Sequence, residues 1–325
     1  MVTLETTFAG LKLKNPLIAA SSGLTNSLKK IKELDDAGIG AVVLKSLFEE
    51  QIESHSDKLA QLTDYPEAAD YINTYVEMNH MEKYLDLIRS VKAECAMPVV
   101  ASINCYKQSR WIDFARSVQD AGADALELNL FLLNAGEYGD TWLEESYVNI
   151  VRELKKQLSI PLVIKMAKNI SNLPGLVAKL KALGADGVVL FNRFYQLDID
   201  ITNMEIVSGP VFSNPSDFSE TLRWTAIVSG RVPDFDIACS YGVHSWEDAV
   251  KGILAGAGGI QLCSMLYEQG ATAVAEMITC MEEWMEQNNY ETIDAFKGKL
   301  NYANIKSPSL YERVQFMKYF SDYKQ

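Results

Sequence analysis

Histidine is scarce, three residues in 325, and positive charge is in deficit, with 30 Lys plus Arg against 43 Asp plus Glu. The formal net charge of −13 disfavours nucleic acid and anionic membrane surfaces as partners. No run of 18 apolar residues occurs, so no membrane span is expected. The five cysteines, at 95, 105, 239, 263 and 280, form no Cys-x-x-Cys pair. That excludes a disulfide framework or an iron–sulfur site and predicts reduced thiols in a cytoplasmic protein. The N-terminal stretch MVTLETTFAGLKLKNPL has no basic region followed by an apolar core, so no signal peptide is expected. Without a low-complexity stretch or a Pro/Ser-rich linker, residues 1–325 read as a single domain.

What the chain does have is a repeated unit. Ala121-Gly-Ala-Asp-Ala-Leu-Glu-Leu-Asn129 reads as a helix end, a tight turn and a buried strand with a polar tip. Related strings run over 37–45, 183–192 and 255–263, ending in Lys45, Asn192 and Cys263. A glycine can end each helix in the left-handed conformation, and the short apolar run that follows has the length of a strand covered on both faces. Such recurrence predicts an α/β fold, a single (β/α)8 TIM barrel.

In order, a hairpin over 3–7 and 11–13 is expected to cap the barrel floor. Strands are predicted at 15–20, 41–45, 97–103, 124–129, 160–165, 187–192, 236–239 and 259–262. Helices are predicted at about 27–37, 82–92, 110–119, 142–158, 173–183, 220–228, 245–254 and 271–286, with Asn26 or Ser27 as the first cap. The barrel occupies about 15–287, with long insertions after strands 2 and 6. Residues 47–80 read as an irregular lid or substrate loop. The extension 288–325, with Tyr290, Tyr302, Tyr311, Phe316, Tyr319 and Phe320, reads as a packed tail or a subunit contact.

Residues at the C-terminal ends of barrel strands face the active site. They are Ala20, Ser21, Lys45, Ser46, Asn104, Asn129, Lys165, Asn192, Gly242, Cys263 and Ser264. This set holds ammonium groups, amides and small residues, with no paired carboxylate and no histidine cluster. It lacks the two acids of a glycosidase and the ligands of a zinc hydrolase. Amides and ammonium groups suit hydrogen bonding to a flat, carbonyl-rich partner and stabilisation of negative charge on it. Singly, a strand-end Asn can cap a turn and a Lys can reach solvent. Together, at five strand tips, they point to a binding site. Ser240-Tyr-Gly-Val243 and Leu262-Cys-Ser264 could supply backbone N–H groups to a phosphate, although these glycines could equally serve tight turns.

Several strings resemble, in order and spacing, the dihydroorotate dehydrogenase family. They are Asn15-Pro…Ala20-Ser21, Lys45-Ser46, Tyr84-Leu-Asp86, Ser102-Ile-Asn104, Glu127-Leu-Asn129…Asn134, Val163-Ile-Lys165 and Gln261-Leu-Cys-Ser264. The resemblance reaches to about residue 270. The segment 189–200 and the tail around Ser307-Pro…Tyr311-Glu-Arg313 look more like the dihydroorotate dehydrogenase-like subgroup. It implies an FMN-binding barrel that oxidises dihydroorotate to orotate in pyrimidine (UMP) biosynthesis. All eleven rim residues above would then hold FMN, with Lys165 near its electron-accepting end. Lys45, Asn129, Lys165 and Asn192 would be catalytic; Lys45, Asn129, Asn134, Asn192 and Arg193 would meet the substrate.

There are departures from the family's pattern. The catalytic Cys or Ser three residues after the strand-4 asparagine is here Leu132, which cannot accept a proton. The family's Asn-x-x-Gly-Leu-Pro-Asn loop is absent, and neither Asn73 nor Asn79 aligns with it. Its Gly-Gly pair after strand 7 is Tyr241-Gly242, and Arg193 adds a charge after Asn192. Cys105, Tyr138 and His80 are candidate replacement bases, against a buried thiol for the first and surface aromatics for the others. The expectation is an FMN-dependent oxidoreductase acting on CH–CH donors, with a small-molecule substrate, an unidentified electron acceptor and a homodimeric state. The alternatives are a flavoenzyme for a different dihydropyrimidine-like substrate, a non-catalytic flavin-binding or regulatory barrel, and a Schiff-base lyase using Lys45 or Lys165.

Overall fold

A computed structural model describes residues 2–48, 66–104, 108–130, 132–136, 138–139 and 141–313. Cys105, the segment 49–65, and Phe316, Tyr319 and Phe320 lie outside them. A hairpin, β1 (Thr6–Phe8) and β2 (Leu11–Leu13), precedes β3 (Leu17–Ala19), α1 (Leu28–Asp36), β4 (Ala41–Val43) and β5 (Leu47–Phe48). Then come α2 (Pro66–Glu94), β6 (Val99–Asn104), α3 (Gln108–Asp120), β7 (Ala125–Asn129), α4 (Trp142–Lys155), β8 (Leu162–Met166), α5 (Leu173–Ala182) and β9 (Gly187–Leu190). A second hairpin, β10 (Leu197–Asp200) and β11 (Glu205–Ser208), leads to α6 (Phe218–Arg231), β12 (Asp236–Cys239), α7 (Trp246–Ala255) and β13 (Gly259–Leu262). The described residues finish with α8 (Ser264–Gln269), α9 (Ala273–Gln287) and α10 (Ser309–Glu312).

Strands β4, β3, β13, β12, β9, β8, β7 and β6 pair in that order, all parallel, and a β4–β6 pairing closes the ring. This is the predicted (β/α)8 barrel. The repeated glycines do what the unit requires: Gly38, Gly122, Gly184 and Gly256 have φ of +94°, +95°, +92° and +116°, a region favourable to glycine. Each lets the helix end and the chain turn into the next strand.

Side-chain alternation along the strands builds the interior in layers. The lowest layer is apolar: Ile18, Val43, Val100, Ala125, Val163, Val189 and Ala238 pack on Phe8 and Leu13 of the first hairpin, which floors the barrel as expected. Two residues further along three of these strands, the inward positions turn polar, with Ser102, Glu127 and Lys165 all buried. The outward positions form the larger cluster between strands and helices.

Several expectations need correction. The 47–80 stretch is not irregular throughout: Leu47–Phe48 form β5, and the following helix begins at Pro66 rather than near residue 82. Proline fits the first helical position, where its missing N–H costs nothing; the polar, aromatic composition hid this. The excursion after strand 6 contains the β10–β11 hairpin, paired in register from Leu197↔Ser208 to Asp200↔Glu205. The last helix predicted at 271–286 begins at Ala273, after the short helix α8. Ser27 is the first N-cap, but its side chain makes no capping bond.

β4 and β5 both lie alongside β6, with Val43 opposite Val100 and Leu47 opposite Ile103. Four residues on one strand therefore span three on the other, a one-residue bulge at 44–46. It breaks the regular pairing where Lys45 and Ser46 leave the sheet. The extension packs on the barrel's outer helices: Gly298 and Leu300 N–H groups donate to Ile253 and Leu254 carbonyls, and that of Tyr302 to Ala226.

Candidate active site

Strand ends β3, β9, β12 and β13 open into a cavity of about 600 Å³, a volume within the range of small-molecule and cofactor sites. Ala20, Ser21 and Lys165 line it, with Asn192, Gly242, Cys263 and Ser264. Aromatic rings from Phe191, Phe194, Phe212, Tyr241 and Tyr267 form part of its walls. Lys45, Ser46, Asn104 and Asn129 do not line it. The eleven rim residues thus divide into a group lining the cavity and a group at strand tips outside its lining.

A buried charged relay sits at the cavity floor. The Lys165 ammonium donates to Gln261 Oε1 at 2.8 Å, and Gln261 Nε2 donates to Glu127 Oε2 at 2.5 Å. Glu127 Oε1 lies 4.0 Å from Lys165 Nζ and has no hydrogen-bond partner among the described residues. Glu127 is 1% exposed, Gln261 2% and Lys165 7%. A buried carboxylate of this kind holds a cation in place and offsets its charge. Sequence reasoning assigned neither Glu127 nor Gln261 a role. The period-2 rule carried the signal, because Glu127 shares the inward face of β7 with Asn129.

On the other side, the Ser21 and Ser46 hydroxyls lie 3.0 Å apart, and Ser46 Oγ lies 2.7 Å from Ser102 Oγ. The Ser46 N–H donates to Ser21 Oγ, so hydroxyls tie together the tips of β3, β4 and β6. Tyr84, from the Tyr-Leu-Asp string, supports this line: its hydroxyl accepts from Ser102 N–H at 2.8 Å and donates to Ser102 O at 3.1 Å. Burial raises the Tyr84 pKa well above the phenol range, so it remains a proton donor. Lys45 is half-buried, and its N–H donates to Thr25 O. Asn129 lies opposite Lys165 in the sheet, and the Asn192 amide donates to Asn129 Oδ1. The structure thus brings Asn129, Lys165 and Asn192 together.

Other expected site residues are engaged locally. The Asn134 amide donates to the carbonyls of Tyr138 and Gly139 and accepts from Gly136 N–H, closing its own loop. Arg193 lines the cavity, but its guanidinium donates to the carbonyls of Val211 and Pro210, clamping the excursion after β9. Leu132 is half-buried against the core and presents no titratable group. Tyr138 stacks on Trp142 with ring centroids 4.1 Å apart, as a surface aromatic does. His80 lies within α2. Cys263 faces the cavity, where burial pushes its thiol pKa up against the lowering effect of Lys165. Gly242, with φ of +83°, packs so tightly that a Cβ there would collide with the backbone nitrogen of Phe218.

The donor set fits a flavin nucleotide: the lining offers a cation, an amide, hydroxyls, a tight glycine turn and aromatic rings. Among the described residues no group of three or more His, Cys, Asp or Glu could hold a metal ion.

The fold is a (β/α)8 barrel with a cation, an amide and hydroxyls at its mouth, and the comparisons give its class: oxidoreductases acting on CH–CH donors. The dihydroorotate dehydrogenase family model matches residues 3–285, and the chain belongs to that family. Among curated relatives, the catalytic subunit of dihydroorotate dehydrogenase B (NAD(+)) from Thermoplasma acidophilum is 28% identical over 307 residues, covering 92% of this chain and 99% of its own. The corresponding subunit from Pyrococcus abyssi is 27% identical, covering 91% and 98%. The NAD-dependent dihydropyrimidine dehydrogenase subunit PreA of Escherichia coli K12 is 25% identical, covering 94% of this chain and 79% of its own.

Proposed function

We propose that this chain is an FMN-dependent oxidoreductase acting on the CH–CH bond of a dihydropyrimidine-type ring. The observation that carries the reading is the Lys165–Gln261–Glu127 relay at the floor of the 600 Å³ cavity. A fixed cation there favours negative charge on a bound planar ring. Ala20, Ser21, Lys165, Asn192, Gly242, Cys263 and Ser264 would hold FMN, which when bound supplies a two-electron acceptor for hydride. Lys45, Asn129 and Asn192 would orient a substrate ring through its carbonyl and ring N–H groups. The ties among Ser21, Ser46, Ser102 and Tyr84 fix that edge of the site.

Leu132 sets the substrate preference. Losing a general base lowers rate by about 10²–10⁴-fold, so dihydroorotate would be a poor substrate. A different dihydropyrimidine, whose ring gives its hydride to the flavin and whose neighbouring C–H proton passes to solvent rather than to residue 132, fits better, a reading supported by the likeness to a dihydropyrimidine dehydrogenase subunit. Leu132 also supports a second reading, a flavin-binding barrel without turnover. The experiment is an anaerobic screen of dihydroorotate, dihydrouracil, dihydrothymine and cyclic imides for bleaching of the protein-bound flavin. Fast bleaching by a dihydropyrimidine other than dihydroorotate supports the proposal. A flavin that none of them reduces supports the second reading.

The relatives named as catalytic subunits support an electron acceptor carried on a partner protein. The β10–β11 hairpin exposes Leu197, Ile199 and Ile206 on one face, with Ile201 and Met204 at its turn. That apolar surface supports a homodimer, which sedimentation would test. No helix among the described residues is long and apolar enough to cross a membrane, and we read the protein as cytoplasmic. The bonds from the extension to α6 and α7 support one domain over residues 1–325.

A further inference from the structure

On the outside of the barrel, the extension crosses α6 and leaves a second cavity of about 580 Å³ that nothing above uses. Arg223, Trp224, Ile227 and Arg231 of α6 line it, together with Tyr302, Tyr311 and Glu312 of the extension. It shares no lining residue with the barrel cavity.

The groove has a fixed shape. The extension lies directly on α6: a Cβ at Gly230 would come within 2.6 Å of the Ala303 nitrogen and 2.9 Å of Tyr302 Cβ. Tyr302 N–H donates to Ala226 O, and the Tyr311 hydroxyl donates to Leu300 O, so both tyrosines are anchored. Trp224 is half-buried and packs against the barrel's outer core. Aromatic rings held in this way offer flat apolar surface at little entropic cost on binding.

The two ends of the groove differ in charge. At one end, Arg231 lies over the Tyr302 ring, 4.3 Å from its centroid, and donates to its hydroxyl at 2.7 Å. That hydroxyl donates to Glu312, whose carboxylate lies 3.8 Å from Arg231. Cation and carboxylate balance there, leaving donors and acceptors side by side. At the other end, Arg223 gives an N–H to the Arg313 carbonyl at 3.1 Å. Glu220, one helical turn before it, is taken by Lys168 at 3.0 Å. Among the described residues no carboxylate pairs with Arg223, and most of its five N–H donors stay uncommitted. In a chain of net charge −13, an unbalanced guanidinium beside aromatic rings stands out.

Arg231 follows Arg223 by eight residues, about 12 Å along the helix axis. A ligand filling that length would set an anion on Arg223, a flat ring against the aromatic side chains, and a hydrogen-bonding edge at Glu312 and Tyr302. A guanidinium grips a phosphate through paired N–H groups. Aromatic rings stack on nucleobases of any sequence, and a carboxylate accepts from a base N–H. A bare phosphate would leave the rings idle, and a free base would leave Arg223 idle.

We propose that this groove binds a nucleoside monophosphate, with Arg223 on its phosphate, Trp224, Tyr302 and Tyr311 around its base, and Glu312 on the edge of the base. The site lies outside the barrel and does not rest on the flavin reading.

The test is calorimetric titration of the purified full chain with UMP and with AMP, using uridine and ribose 5-phosphate as half-ligands. At least one nucleotide should saturate the chain at or below about 1 mM, with each half-ligand at least about tenfold weaker. The tighter of the two nucleotides identifies the base. Arg223→Met should weaken nucleotide binding about tenfold or more and leave uridine binding as it was. Trp224→Leu should weaken nucleotide and uridine alike, several-fold. Failure of both nucleotides to bind overturns the proposal, as does ribose 5-phosphate binding as tightly as a nucleotide, or a nucleotide affinity unchanged in Arg223→Met. Loss of nucleotide binding in Lys165→Met would put the ligand in the barrel cavity and overturn it too. A chain that takes a nucleotide through Arg223 but no FMN sustains this site while refuting the flavin reading.

Discussion

Replacing Glu127 by alanine removes the only carboxylate paired with Lys165 among the described residues. The two charges lie 4.0 Å apart in a site where neither side chain is more than 9% exposed. At an effective dielectric of 20, unit charges at that separation interact by about 4 kcal/mol. Removing one partner of a buried pair costs about 3–5 kcal/mol, because the other charge stays behind uncompensated. Gln261 Nε2 would also lose its 2.5 Å acceptor, and a buried unsatisfied donor costs about 1–3 kcal/mol. These costs overlap, since Gln261 bridges the same two residues, so Glu127→Ala should lose about 4 kcal/mol in urea denaturation of the flavin-free chain. Replacing both partners together, Glu127→Met with Lys165→Met, should recover most of that loss, because a buried pair exchanged for apolar side chains is often neutral. A single variant within about 1 kcal/mol of the parent would refute the reasoning. So would a double variant as unstable as the single one.

Further outcomes follow from the same geometry. Gly242→Ala should lower both stability and flavin affinity, by about 1–3 kcal/mol for the strained conformation before any clash with Phe218 is counted; denaturation and flavin titration measure the two effects. Leu132→Cys should speed anaerobic flavin reduction by dihydroorotate at least about tenfold, as restoring a base should; an unchanged rate would show that another step limits turnover. Burial pushes the Cys239 thiol up to about 12, so its reactive thiolate is roughly 10⁻⁴ of the total at pH 8. Mass-spectrometric alkylation of the native protein should therefore leave Cys239 unmodified, with reactivity rising as the pH is raised. The partly accessible Cys263 should be alkylated in the flavin-free protein and shielded by FMN.

The barrel was legible because its connecting glycines are constrained by backbone geometry rather than by long-range contacts. Gly38, Gly122, Gly184 and Gly256 each mark a helix end followed by a short apolar run, and each adopts the left-handed conformation. The polar strand tips were legible for a related reason, since a polar residue ending an apolar strand has nowhere to go except the barrel mouth. Glu127 and Gln261 were harder to read. In a strand covered on both faces, neighbouring residues look equally buried, and only the alternation with Asn129 shows which way Glu127 turns. Asn134 shows the opposite limit: its type and position fit a substrate contact, yet its amide closes its own loop. Of the helix over Pro66–Glu94, the part from 82 on was read from the sequence, and the part before it was missed for want of a clean apolar stripe.

The central claim is that the strand tips around Lys165 grip the ring system of FMN, and the direct measurement is reconstitution. The purified native chain, incubated with FMN and freed of excess, should retain about one flavin per chain with a perturbed visible spectrum, and Lys165→Met should lose most of that affinity. A native chain that stays colourless, or a Lys165→Met variant that binds FMN as tightly as the parent, would contradict the account.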